Sequence, residues 1–278
     1  MHASLSRVYW LLIAPAVLLM LVFYIYPLVQ VLWISVTDPV PGFGNYMELI
    51  ERPLIHRIWI TTLRICVITT SITVLAGYAV AYAMAQVGER QRTWMMFCLL
   101  LTFWLSVLIR AFAWVMLLLS QGIVNTGLQE LGLIDEPLRL VRNEFGVIVG
   151  MVHFMLPLAV LPIYSNMTGI EARLVSAARG LGASPFEAFF NIYLPLSKPG
   201  IIAATILVFV FSLGFFITPA LLGGGKVVMI SEYIQVSFEE TLRWGQATML
   251  ASTLLFSVLL SLALVARFVD LKKVFGAR

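Results

Sequence analysis

Long apolar runs alternate along this chain with short polar clusters, and the runs are close to the roughly 20 residues that an α-helix needs to cross a bilayer. Windows of about 19 residues predict six spans, at roughly 9–34, 58–86, 94–119, 144–166, 200–222 and 246–268. The first run follows Arg7 as the core of a signal peptide would. It continues past Pro27 to Val36 without a small-residue cleavage site, so a retained span is expected.

The polar stretch between the fourth and fifth runs has a helical pattern of its own. Leu174, Ala177, Ala178 and Leu181 form an apolar stripe at spacings of three and four, predicting a helix from about Ile170 to Leu181 with Gly182 just past its end. Ser184, Pro185 and Glu187 then supply an N-cap, a first helical residue and the third-position acid of a capping box. Phe186, Phe189, Phe190 and Tyr193 follow as an aromatic face, and Pro195 with Pro199 is expected to end this second helix before the fifth span.

Composition narrows the class. Of 278 residues, 61% are hydrophobic and 12% charged, against roughly 45–50% and 25% in soluble domains; a water-soluble globule is excluded. The net charge of +4 is spread over loops without an aromatic-interleaved basic patch, so nucleic acid is not an expected partner. Cys66 and Cys98, one in each of two apolar runs, lack disulfide or metal spacing and read as buried thiols. No motif for catalysis, metal binding or a cofactor is present; LGGGKVV lacks the Walker A residues at Ala220 and Val227.

Basic residues set the orientation. With both termini cytoplasmic, Arg7, Arg90, Arg92, Arg173, Arg179, Lys198, Arg267, Lys272, Lys273 and Arg278 lie inside, and Arg52, Arg57, Arg139, Arg142, Lys226 and Arg243 outside. That bias favours cytoplasmic termini and puts the 169–201 loop in the cytoplasm.

The spacing of Ala177, Ala178, Gly182, Ile192, Leu194 and Pro195 resembles the cytoplasmic signature of binding-protein-dependent ABC permeases. Ser176 stands where that family's motif has glutamate. Segments such as FWLSVLIRAFAWVMLL, LGLIDEPLRL and PALLGGGKVVMI extend the resemblance over nearly the whole chain, toward spermidine/putrescine permeases and, more loosely, permeases for ferric ions, other organic amines or sugars. It implies an all-α membrane protein with the six-helix type I ABC importer fold. The chain would form one permease domain, 1–278, with its core at about 57–268 and span one peripheral. Within the loop at about 167–198, Ser176, Ala177, Ala178, Arg179, Gly180, Leu181, Gly182, Ala183, Ser184 and Pro185 would form a coupling helix docked on an ATPase, supported by Glu187, Ile192, Leu194 and Pro195. The implied partners are a second homologous permease, two ATP-binding cassette ATPases and a periplasmic or lipid-anchored substrate-binding protein, in a bacterial inner membrane. ATP hydrolysis would belong to the partner, not to this chain. An interfacial amphipathic helix pair is the competing reading of the loop.

Charged groups inside spans are costly, which singles out Arg64 and Arg110: snorkelling to the outer face is one reading of both, and for Arg110 the other is shaping or gating the outer vestibule beside Trp104 and Trp114. Tyr78, Tyr82, Trp104, Trp114, Phe215 and Phe216 are candidates for cation–π contact along a translocation path, or packing aromatics. No acid lies deep in a predicted span, and His153, followed by Pro157 and Pro162, reads as a satisfied core histidine or as part of a kinked helix lining a cavity. A rhomboid-like protease would need a serine nucleophile facing His153, and a secondary transporter internal repeats; neither is apparent.

Overall fold

A computed structural model describes residues 2–268, all in helices, turns and loops, with no strand among them. The tail 269–278, which carries Lys272, Lys273 and Arg278 of the orientation argument, lies outside the described residues. The helices are α1 (His2–Met20), α2 (Tyr26–Thr37), α3 (Gly44–Glu51), α4 (Pro53–Gln86), α5 (Glu89–Trp104), α6 (Val107–Leu118), α7 (Ile123–Glu130), α8 (Glu144–Thr168), α9 (Ala172–Gly180), α10 (Pro185–Ala188), α11 (Leu194–Leu213), α12 (Ile230–Glu239) and α13 (Trp244–Phe268). Wider π turns occupy Leu21–Ile25, Phe189–Tyr193 and Pro219–Gly223.

Among the described residues, six helices are long and apolar enough to cross a membrane: Leu12–Thr37, Pro53–Gln86, Val107–Glu130, Glu144–Thr168, Pro185–Leu213 and Trp244–Leu264. Two expectations change. The third run is interrupted, because Leu105 and Ser106 are extended (ψ 134° and 138°) and separate α5 from α6. The fifth span begins at Pro185, and neither Pro195 nor Pro199 ends it. Proline breaks a helix by clashing with the carbonyl four residues back and by lacking an N–H. Here the π turn over Phe189–Tyr193 relieves that conflict, with Leu194 N–H reaching back five residues to Phe189 O, so Pro195 enters in the first turn of α11.

The chain divides into two compact units, one of residues up to His56 with Tyr233–Ser257, the other of Arg57–Glu232 with residues from Val258 on. In the first unit, the most apolar 18-residue stretch within Leu12–Thr37 holds no buried residue. The turn after α2 is tied by Asn45, whose amide donates to Ser35 O and Asp38 O at 3.0 and 2.7 Å. Asp38 Oδ2 accepts from Gly245 N–H at 2.7 Å, joining this turn to the start of α13.

The second unit packs as a membrane protein does, small and polar groups inward and aliphatic side chains outward. On α4, Ile58, Thr62, Ile65, Cys66, Thr69 and Thr73 form the buried stripe, while Ile60, Leu63, Val67 and Leu75 face out. Contrary to expectation only Cys66 of the two thiols is buried; Cys98 is on an exposed face of α5. Helix α8 is capped by Asn143, whose side chain accepts from Gly146 N–H at 2.9 Å, and packs on α11 where Pro162, Ile163 and Asn166 lie against Gly200. Gly200 lets the backbones close: a Cβ there would lie 3.0 Å from Ile163 Cα and 3.1 Å from Pro162 O.

Candidate functional site

Helix α9 is stopped by two reciprocal devices. Gly182 takes φ +97°, a backbone conformation that side chains disfavour, and the chain reverses with Gly182 N–H on Arg179 O and Ala183 N–H on Ala178 O, both at 3.1 Å. These bonds satisfy carbonyls that a helix end leaves open. Two residues on, Ser184 Oγ accepts from Glu187 N–H at 3.2 Å while Glu187 Oε2 accepts from Ser184 N–H at 2.7 Å, the capping box expected from the sequence. The first helix is shorter than its stripe suggests, Ala172–Gly180 rather than 170–181, because Leu181 already leaves helical geometry.

The result is a stiff bend with an apolar tip. Leu181 is 90% exposed, and the rings of Phe186 and Phe190, both exposed, meet at 4.3 Å in a tilted pair on α10 and its π turn. Ser176 Oγ donates to Ala172 O at 3.1 Å, so its hydroxyl is spent within its own helix. Behind the bend lies an open cavity of about 530 Å³, lined on one side by Val175, Ser176, Arg179 and Pro185 and on the other by Tyr82, Gln86 and Arg92. Ile192 and Leu194 are half-buried where the bend enters α11, and Pro195 is exposed.

Tyr78 and Tyr82 gather at the base of this bend. Tyr82 meets Phe189 and Tyr193 edge-on at 5.4 and 5.3 Å, and the Tyr78 hydroxyl is 3.1 Å from Ser197 Oγ. These contacts tie α4 to the root of α11 through packed rings.

A second cluster forms between α6, α8 and the loop after α11. Trp114 Nε1–H donates to His153 Nδ1 at 3.1 Å, the Arg110 guanidinium lies 4.4 Å from the centre of the Phe154 ring, and Phe154 meets Phe215 at 4.5 Å. His153 thus has the partner expected of a core histidine. Trp104 and Phe216 do not join: Trp104 ends α5 at 89% exposure, separated from Arg110 by the break, and Phe216 is half-buried with no ring partner among the described residues. Arg64 pairs with Glu144 across α4 and α8. Its charge has a counter-charge beside it; among the described residues that of Arg110 has none.

Two polar features were not legible as sites. Glu232, which follows the fifth predicted span, is 9% exposed with Oε2 unpartnered. Burial pushes its carboxyl up to about 6 from the ordinary 4.5, against the effect of a hydrogen bond from the Met229 backbone. The ionised form therefore opposes folding; the stability Glu232 contributes is complete below 4.5 and lost as pH rises through about 6. In the other unit, Asp38, Asn45, Glu48, Arg243 and Gln246 line an open cavity of about 290 Å³. Neither feature has a local sequence signature, since each depends on burial created by distant segments.

Residues 73–271 match the family of binding-protein-dependent transport system inner membrane components. The spermidine/putrescine transport system permease protein PotB of Haemophilus influenzae is 36% identical over 218 residues, covering 78% of this chain and 76% of that one. PotB of Escherichia coli K12 is 34% identical, covering 78% of this chain and 79% of its own. Among solved structures, a chain of a bacterial alginate ABC transporter, in complex with an alginate pentasaccharide-bound periplasmic protein, superposes with a TM-score of 0.76 at 19% identity. That match covers 95% of this chain and 96% of the other, and it carries the fold alone. With six apolar helices among its described residues, this is a multi-pass inner-membrane protein. The chain belongs to the family of binding-protein-dependent inner membrane components and is a permease subunit of an ABC importer.

Proposed function

We propose that this permease forms, with a second related permease, the path for a polyamine of the spermidine/putrescine class, powered by two copies of a separate ATPase and supplied by a periplasmic or lipid-anchored binding protein. Similarity to the two PotB proteins supports the substrate class. The single observation that carries the mechanism is the doubly capped bend with Leu181 at its tip.

On this reading Ser176–Pro185 is the coupling helix, both termini are cytoplasmic, and residues 1–278 act as one permease domain with its core at 57–268. Leu181 enters an apolar groove of the ATPase, where removing its side chain from water favours docking. Because Gly182 and the Ser184–Glu187 box hold the bend stiff, closure of the ATPase pair moves it as a unit. Tyr82, Phe189 and Tyr193 then pass that displacement to α4 and α11. Ser176 makes no salt bridge to the ATPase, so docking relies on shape and apolar contact. Of the path residues, Arg110, Trp114 and Phe215 stand together near one gate, whereas Tyr78 and Tyr82 serve the root of the bend. Trp104 and Phe216 are left as outlying aromatics on the path.

Uptake by the complete transporter in proteoliposomes tests the reading. With the cognate binding protein outside and ATP inside, labelled spermidine or putrescine should accumulate, and omission of the ATPase should stop it. Failure of both polyamines, with ATP-driven uptake of a sugar or ferric ion instead, would remove the polyamine assignment.

A further inference from the structure

Arg110 is the one arginine or lysine that the fold buries among the described residues. It is 8% exposed, and its Nε and Nη1 have neither solvent nor an acceptor; only Nη2 keeps access to the surface. The Phe154 ring offers cation–π attraction at 4.4 Å, which offsets part of the lost hydration but meets none of the five N–H donors. His153 offers no acceptor either: its Nδ1 takes the Trp114 N–H, leaving the proton of the neutral ring on Nε2.

Nor can this chain supply a counter-charge from its spans. Their only carboxylates are Glu130, Glu144 and Glu187, each at or next to a helix end, and Glu144 is already paired with Arg64. Glu232 has no ion pair with any described residue, and it accepts from the backbone of Met229. A buried charge left alone is strongly destabilising, so its partner must be resident rather than a passing substrate. A second copy of this chain would bring another Arg110 and again no acid from its spans.

We propose that Arg110 pairs with a membrane-embedded carboxylate of the second, different permease subunit, and that this ion pair forms part of the contact between the two. The proposal rests on the two-subunit path described above and makes it a hetero pair. Around Arg110 on α6, Ile109, Phe112 and Met116 are exposed and apolar, a surface suited to a neighbouring membrane helix. Pairing would also screen the guanidinium from a polycationic substrate, which a bare arginine would repel.

The test uses the whole transporter, purified with its second permease, and reads uptake together with the thermal midpoint of the complex. Arg110→Met should lower uptake by more than about tenfold and lower the midpoint, as expected when one partner of a buried charge pair is removed. Arg110→Lys should keep most of both. Neutralising the Asp and Glu residues of the second permease's spans one at a time, in the Arg110→Met background, should restore the midpoint for one of them alone. If Arg110→Met does not accumulate, Arg110→Glu combined with that acid changed to arginine takes its place, and only the combination should assemble. A wild-type midpoint and uptake in Arg110→Met, or failure of every partner substitution to restore it, would overturn the pair. Restoration by changing Glu232 would place the counter-charge within this chain and overturn it equally. A wild-type chain that purifies with only copies of itself refutes the two-permease path and this pair together, whereas lack of polyamine uptake by an intact hetero pair refutes only the substrate.

Discussion

Gly182→Val is expected to abolish ATP-driven uptake while the transporter still assembles. A Cβ at this position would meet nothing within 4 Å, so the substitution creates no clash. Its cost comes from φ +97°, which a β-branched residue avoids, and a forced backbone of that kind costs about 1–3 kcal/mol. The chain escapes that cost by relaxing the bend, which releases the bonds from Gly182 and Ala183 to α9 and turns the Ser184 cap away from its helix. The bend is exposed and a Cβ at Gly182 meets no other part of the chain, so the membrane part should fold as before. ATPase activity in the reconstituted complex, with and without loaded binding protein, measures the outcome. Stimulation should vanish in Gly182→Val, and unaltered stimulation would show that the bend does not transmit force.

Gly200→Leu should act in the opposite manner, destroying the fold rather than the coupling. Its Cβ would sit 2.7 Å from Asn166 Cβ, 3.0 Å from Ile163 Cα and 3.1 Å from Pro162 O, and two of these atoms are backbone. Neither can swing aside as a side-chain tip does, so α8 and α11 must separate. Overpacking costs about 1–3 kcal/mol in ordinary cores and more where backbones are in contact. A large drop in thermal midpoint and loss of monodisperse protein in detergent are the expected signs. Gly180→Leu, with open space around its Cβ, is the control and should keep the wild-type midpoint.

How far the sequence reaches depends on whether a feature is local. The spans were legible because water exclusion forces long apolar runs on any helix in lipid. The Ser184–Glu187 box and the Gly182 stop were legible because donor, acceptor and backbone requirement lie within a few residues. The break at Leu105–Ser106 was not, since no proline or glycine marks it. Pro195 and Pro199 misled for the converse reason: the π turn that accommodates the first of them has no residue signature. Arg110 announced itself as a charge in an apolar run, but its lack of a partner became visible only once α8 was placed against α6. The burial of Glu232 was likewise hidden, since no residue pattern around it marks it as an inward-facing acid.

Coupling through the bend requires above all that Leu181 lie on the cytoplasmic side, at the surface that the ATPase covers. Leu181→Cys in a Cys98→Ser chain gives one exposed thiol, because Cys66 is buried. A membrane-impermeant maleimide should label it in inside-out vesicles but not in intact spheroplasts, and bound ATPase should protect it. Labelling from the periplasmic side, or equal labelling with and without the ATPase, would contradict the account.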